Sequence, residues 1–210
     1  MKKRIIWDWN GTLLDDLTQC VVIMNQMLAK RRLKPITVEE YKDVFTFPVK
    51  LYYEQLGFDF TKEDFQDVSV EFIDLYNKIS LSCPLHRDAQ ETIALLSQKG
   101  VEQTVLSVME DSLLKQMIGH HGLTRYFSHI MGATNIQAHG KIAHAELLIQ
   151  KLGQNPKAVY LIGDSLHDAQ VASHIGVNCI LVSHGHYALD RLQQTGLPII
   201  HHVKELIKLL

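Results

Sequence analysis

The run Ile5-Ile6-Trp7 is apolar and stops at Asp8, after which Asn10-Gly11-Thr12 breaks any regular element. A short continuous apolar run bounded by turn residues reads as a strand covered on both faces, so Asp8 marks its carboxyl end. Open α/β sheets bind their ligands at that edge. Two later runs end in the same way, Thr104-Val105-Leu106 at Ser107 and Tyr160-Leu161-Ile162-Gly163 at Asp164, and Gly140-Lys141 adds a further reactive position. Chemistry is therefore expected to gather at one edge of one sheet.

Apolar segments rich in β-branched residues recur at 4–7, 103–106, 129–131, 158–162 and 179–182, with a last one at 198–200. Because they are continuous rather than alternating, they predict a parallel sheet with helices on both faces. Helical periodicity fills the intervals at 88–99, stopping at Gly100, at 111–120, and at 142–152, closing at Gly153. The expected fold class is α/β, a Rossmann-like doubly wound parallel sheet. Residues 15–82 break this rhythm, with helical patterns at 20–31, 38–45, 51–56 and 61–79 and no buried strand. They predict an all-helical cap domain inserted after the first strand, leaving 1–14 and 83–210 as the core domain. Its two ends return near one another, as a lid over the carboxyl edge of the sheet requires. Thr37-Val38-Glu39-Glu40 and Thr61-Lys62-Glu63-Asp64 each read as an N-cap with an acid three residues on.

Composition excludes several classes of partner. With 210 residues, 46% apolar and a formal charge of −2, the chain has no basic stripe for nucleic acid or an anionic membrane. No stretch approaches the ~20 apolar residues of a membrane span. Lys2-Lys3-Arg4 is not expected to open a secretory leader, since Asp8 and Asn10 interrupt the apolar run that follows. Cys20, Cys83 and Cys179 are odd in number and far apart, which points to neither a disulfide framework nor a zinc site. The cytoplasm and a small soluble ligand fit best.

Taken one at a time, the reactive residues have commonplace roles. Asp8 suits a loop or a helix N-cap, Ser107 a turn and Lys141 a solvated surface, while Asp164 and Asp168 suit the start of a helix. Their order and joint placement say more. Asp8-Trp9-Asn10-Gly11-Thr12-Leu13, Ser107, Lys141 and Gly163-Asp164-Ser165-Leu166-His167-Asp168 resemble the four motifs of the haloacid dehalogenase superfamily. The match is to the branch with a helical cap, which includes phosphoglycolate phosphatase-like enzymes. That resemblance implies a Mg²⁺-dependent phosphatase of a small phosphorylated metabolite, acting as a monomer or homodimer. Asp8 is then the nucleophile that forms an aspartyl-phosphate. Asp8, Asp164 and the backbone carbonyl of Asn10 hold the Mg²⁺. Ser107, Lys141, Gly11 and Thr12 bind the phosphoryl group, and Asp168 orients Lys141 or a water.

One residue departs from the family pattern, where a second Asp usually stands in place of Asn10. That Asp is taken to protonate the leaving oxygen and later to deprotonate water, a role worth about 10²–10⁴-fold in rate. Asn hydrogen-bonds but exchanges no proton. Three readings follow. In the first, the chain is a phosphatase whose leaving group needs little acid help, or whose acid is His167, His184 or His186. In the second, the scaffold runs dehalogenation or phosphonate cleavage; dehalogenation needs no metal, whereas Asp164 and Asp168 imply one, and a Schiff-base lysine for phosphonate would be Lys50 or Lys42. In the third, the protein binds a phosphorylated ligand without turning it over. Within the cap, Pro48 interrupts helix formation and sets a loop in Phe45-Thr46-Phe47-Pro48-Val49-Lys50. By resemblance this is a specificity loop in which Lys50 meets a second anionic group; alternatively Phe45, Phe47 and Tyr52 pack the cap core and Lys50 is exposed.

Overall fold

A computed structural model describes residues 3–133, 140–152 and 155–209. The chain divides into two compact units, Met1–Asp15 with Leu85–Leu210, and Asp16–Pro84. Strand β1 (Arg4–Trp7) opens the first unit. The second unit then supplies α1 (Leu17–Lys30), α2 (Val38–Val44), α3 (Val49–Gln55) and α4 (Phe65–Ile79). After them come α5 (Ala89–Gln98), β2 (Glu102–Glu110), α6 (Asp111–His120), β3 (His129–Ala133), α7 (Gly140–Leu152), β4 (Val159–Gly163), α8 (Leu166–Ile175) and β5 (Asn178–Val182). The last elements are α9 (Leu189–Gln193), β6 (Ile199–Ile200) and α10 (Leu206–Leu209).

The six strands form one parallel sheet in the order β3-β2-β1-β4-β5-β6. Strand order reverses between β1 and β4, which is the crevice where doubly wound sheets bind ligands. Ile5, Ile6 and Trp7 of β1, with Leu161 and Ile162 of β4, are buried, as continuous apolar runs demand of central parallel strands. Helices α7 and α8 pack on each other and on neighbouring strands, covering that apolar surface. Strand β2 is longer than the apolar run 103–106 predicts and includes Ser107. Leu106 pairs with Met131 while Glu110 pairs with Ala133, so four steps along β2 match two along β3. This bulge lets the strand run on past Ser107 and re-aims the side chains there.

The helical unit carries its own core. Tyr41, Phe45, Phe47 and Tyr52 pack ring against ring, with Phe45 centred 5.5 Å from Phe47 and 5.2 Å from Tyr52. The Asp16 carboxylate accepts a buried hydrogen bond from the Tyr76 hydroxyl at 2.7 Å. Thr37 and Glu40 form the expected capping box at the start of α2. The expected cap at Thr61 does not form. Asp59 captures both the amide and the hydroxyl of Thr61, so α4 starts later and is capped by Asp64, which accepts from the Gln66 amide. Pro48 is the N-cap residue of α3. The predicted closure of α7 at Gly153 lies outside the described residues.

Candidate active site

Asp8 sits directly after β1, and its amide donates to the Ile162 carbonyl of β4. The turn that follows folds back on itself, with the amides of Thr12, Leu13 and Leu14 all donating to the Trp9 carbonyl. This needs Gly11 at φ +71°, and a Cβ there would strike the Asp164 carboxylate and the His186 ring. The turn thereby brings Thr12 under two carboxylates: its hydroxyl lies 3.2 Å from Asp8 Oδ2 and 3.3 Å from Asp164 Oδ1.

Lys141, in the first turn of α7, is 3% exposed and lies between two carboxylates. Its Nζ donates to Asp8 Oδ1 at 2.5 Å and to Asp168 Oδ1 at 2.7 Å. Asp168 is also locked from its other oxygen, which accepts from the amide and hydroxyl of Ser165 at 3.1 and 2.5 Å. The amide bond is one half of a capping box, completed by the Asp168 amide donating to the Ser165 hydroxyl at 3.2 Å, in which Ser165, rather than Asp164, is the N-cap of α8. Asp164 instead turns towards the segment after β5, where its Oδ2 accepts from the His186 amide at 2.6 Å. Gly185 makes that approach possible, since any Cβ there would overlap the Asp164 side chain.

Burial dominates the electrostatics. It pushes the Asp8 carboxyl up to about 8, reinforced by Asp168 and Asp164 and opposed by Lys141. Burial raises Asp164 as well, with His186 pulling the other way. At Asp168 the charge of Lys141, with hydrogen bonds from Lys141 and Ser165, overcomes burial and holds the carboxyl below its ordinary value. Burial also disfavours the Lys141 ammonium, but Asp168 and Asp8 outweigh it and keep the amine charged. Three buried carboxylates thus face one ammonium. One oxygen from each of Asp8, Asp164 and Asp168 lies within 4.8 Å of the others, an all-oxygen donor set suited to a hard cation.

Ser107 completes the edge. Its hydroxyl lies 3.5 Å from Asn10 Oδ1 and accepts from the Met109 amide at 3.1 Å. The structure therefore brings Asp8, Asn10, Gly11, Thr12, Ser107, Lys141, Asp164 and Asp168 into the first unit's crevice. Lys50 belongs to the helical unit, is half-exposed, and lies 3.9 Å from Glu54 and 5.6 Å from the centre of the Phe60 ring. Of the three histidines weighed as a proton donor, His184 faces a backbone carbonyl with each ring nitrogen, Thr12 O at 3.1 Å and His201 O at 3.2 Å. His186 contributes its amide to Asp164 and its ring to the wall over Gly11. His167 lies close enough to Asp168 for its charge to lower that carboxyl. Two contributors escaped the sequence reading. Ser165 was detectable as the Ser-x-x-Asp capping signature within Ser165-Leu166-His167-Asp168, whereas nothing local marks the Gly185-His186 backbone.

The chain matches the haloacid dehalogenase-like hydrolase family model over residues 5–182. It is 24% identical over 196 residues to a phosphoglycolate phosphatase of Pseudomonas fluorescens, spanning 89% of this chain and 71% of that one. A phosphoglycolate phosphatase of Caulobacter vibrioides is 24% identical over 206 residues, spanning 94% and 86%. Among solved structures, a predicted phosphoglycolate phosphatase of Haemophilus somnus superposes with a TM-score of 0.80 at 20% identity, covering 99% of this chain and 97% of its own. Fold, motif order and family match agree: this chain belongs to the haloacid dehalogenase-like hydrolases.

Proposed function

We propose that the chain is a phosphoric monoester hydrolase that passes the phosphoryl group of a small phosphorylated metabolite first to Asp8 and then to water. The observation that carries this reading is that Lys141 and Thr12 each hold one oxygen of Asp8, fixing the carboxylate's rotation at the sheet's carboxyl edge. A carboxylate oxygen of Asp8 attacks phosphorus, and the bond from phosphorus to the ester oxygen breaks. Water then cleaves the aspartyl-phosphate, releasing phosphate and regenerating Asp8. Lys141 and the Ser107 hydroxyl face the charge that spreads over the phosphoryl oxygens. Asp168 keeps the lysine in place, held in turn by Ser165. Small phosphate esters of the phosphoglycolate type are the substrate class that the relatives suggest.

Mg²⁺ is the proposed cofactor, held by Asp8, Asp164 and the Asn10 carbonyl, and when bound it supplies positive charge to phosphoryl oxygens. The fit rests on the surplus of buried carboxylate over ammonium and on the all-oxygen donor set. Asp168 is assigned to positioning rather than to the ion because one of its oxygens accepts from Lys141 while the other accepts from both the amide and the hydroxyl of Ser165, within the capping box of α8. Asn10 offers no transferable proton, and the leaving oxygen takes its proton from solvent. Turnover is accordingly slow for esters of basic alcohols. Asn10 also favours a second reading, a protein that binds a phosphorylated ligand without turning it over.

Hydrolysis of phosphoglycolate and p-nitrophenyl phosphate, assayed with and without Mg²⁺, tests the proposal alongside beryllofluoride trapping at Asp8. Mg²⁺-dependent release of phosphate together with an Asp8 adduct is expected. Binding of phosphoglycolate with no turnover of either ester would overturn the phosphatase reading in favour of the second.

A further inference from the structure

The segment Ser183-His184-Gly185-His186, directly after β5, touches the site at three points. Gly185 allows the Asp164 side chain to lie against its backbone, and the His186 amide donates to Asp164 Oδ2 at 2.6 Å. The third contact is made by the His184 side chain, whose Nε2 lies 3.1 Å from the Thr12 carbonyl oxygen. A carbonyl only accepts, so His184 is the donor in this bond. Thr12 is fully buried, and its hydroxyl lies within hydrogen-bond reach of both Asp8 and Asp164. The peptide that His184 grips therefore belongs to the residue that joins the proposed nucleophile to the proposed metal carboxylate.

The His184 ring is itself braced on two sides. Its Nδ1 approaches the His201 carbonyl oxygen at 3.2 Å, a packing contact and not a second donated bond because a neutral imidazole carries one N–H, and Ser183 fixes the same stretch by donating its amide to the Ile200 carbonyl at 3.0 Å. The His86 ring lies against it with centroids 3.8 Å apart, and the His86 amide donates to the Leu13 carbonyl at 2.9 Å. The residue next to Thr12 is thus tied to the residue that supports His184. A ring braced in this way transmits position, because it has no free rotamer to take up when Thr12 shifts.

We propose that His184 is a positioning residue for catalysis, setting the Thr12 peptide so that the Thr12 hydroxyl spans Asp8 and Asp164. It touches neither substrate nor reacting atoms in this role. The proposal rests on the phosphatase reading for its kinetic consequence, and on the His184 to Thr12 hydrogen bond for its structural one. A displacement of about 1 Å in a reacting group costs up to about 10²-fold in rate, so the effect falls on kcat.

The test compares wild type, His184→Phe and His184→Gln. Phe keeps a ring against His86 and removes the donor, whereas Gln restores an N–H at a similar reach. Steady-state kinetics on p-nitrophenyl phosphate with Mg²⁺ should show kcat lowered about tenfold or more in His184→Phe, KM within about twofold of wild type, and kcat recovered to within about threefold in His184→Gln. Equal kcat in wild type and His184→Phe, or equal losses in both variants, would overturn the proposal. Crystal structures of wild type and His184→Phe give a readout that needs no turnover. In the variant the Thr12 hydroxyl should leave the reach of one of its two carboxylates. If it stays within reach of both, the proposal fails whatever the kinetics. If wild type hydrolyses nothing, the phosphatase reading fails separately, and the Thr12 position alone decides.

Discussion

Lys141 donates to Asp8 at 2.5 Å across 133 residues of sequence, and the same ammonium donates to Asp168 at 2.7 Å. Removing one partner of a buried ion pair leaves the other charge uncompensated, at a cost of about 3–5 kcal/mol. Lys141→Met should lower stability by about that amount at pH 9 and by less at pH 5, where the raised Asp8 carboxyl is protonated. Urea unfolding at the two pH values checks this; an equal loss at both would show that Asp8 does not change its ionisation between them.

Burial pushes the Asp8 carboxyl from its ordinary 3.8 up to about 8 in the folded state. Between those values the folded state binds the extra proton, so stability present at low pH is lost as pH rises through about 8. Without divalent cations, Asp8→Asn should remove this part of the pH slope and melt above wild type at pH 9, by about 3–6 °C for each ~1–2 kcal/mol regained. Mg²⁺ should erase the advantage by stabilising wild type alone. Parallel melting curves of the two proteins from pH 4 to pH 9 would contradict the account.

Gly185→Ala sets a methyl group into the space of the Asp164 carboxylate. Because the clash falls on a site residue and the segment lies at the end of β5, activity should suffer more than folding, with kcat/KM down by about 10²-fold or more. Circular dichroism and kinetics on one preparation measure the two effects together.

Asn10→Asp adds an ionisable carboxyl where the leaving oxygen needs a proton. General acid catalysis of this kind contributes about 10²–10⁴-fold, most for poor leaving groups. Turnover of an alkyl phosphate should therefore rise by at least about 10²-fold, and that of p-nitrophenyl phosphate by much less. A uniform rise, or none, would place the missing proton elsewhere.

Ser165→Ala removes the N-cap bond from the Asp168 amide and the hydroxyl's hydrogen bond to the Asp168 carboxylate, leaving the Ser165 amide bond in place. The cap alone is worth about 1 kcal/mol. A larger loss, accompanied by a fall in kcat, is expected because Asp168 then holds Lys141 less firmly. Chemical denaturation paired with kinetics separates the two contributions.

Much of the fold follows from local pattern. The runs around Ile5, Val105 and Leu161 are continuous because central parallel strands bury both faces, and that period is visible without any long-range knowledge. Asp8, Ser107 and Asp164 were recognisable for the same reason, since each closes such a run. Strand and helix ends were less legible. Asp59 takes Thr61 out of its expected capping role, and a bulge in β2 absorbs Ser107 into the strand. Both outcomes depend on competition between nearby hydrogen bonds, which residue type alone does not rank.

By itself, then, the sequence determined which residue types stand at the sheet's edge, that Asn10 lacks a proton to give, and that an all-helical segment interrupts the core. Only the tertiary structure decided how those residues are shared out. It commits Lys141 to two carboxylates at once, commits Asp168 to positioning through Ser165, and brings His184, Gly185 and the His186 amide from the far end of the chain onto Thr12 and Asp164. The contacts at the Thr12 carbonyl, Gly185 and the His186 amide are made by backbone groups and by close approach at glycine, whose chemistry is the same everywhere in a sequence. Their meaning comes from what the fold sets beside them.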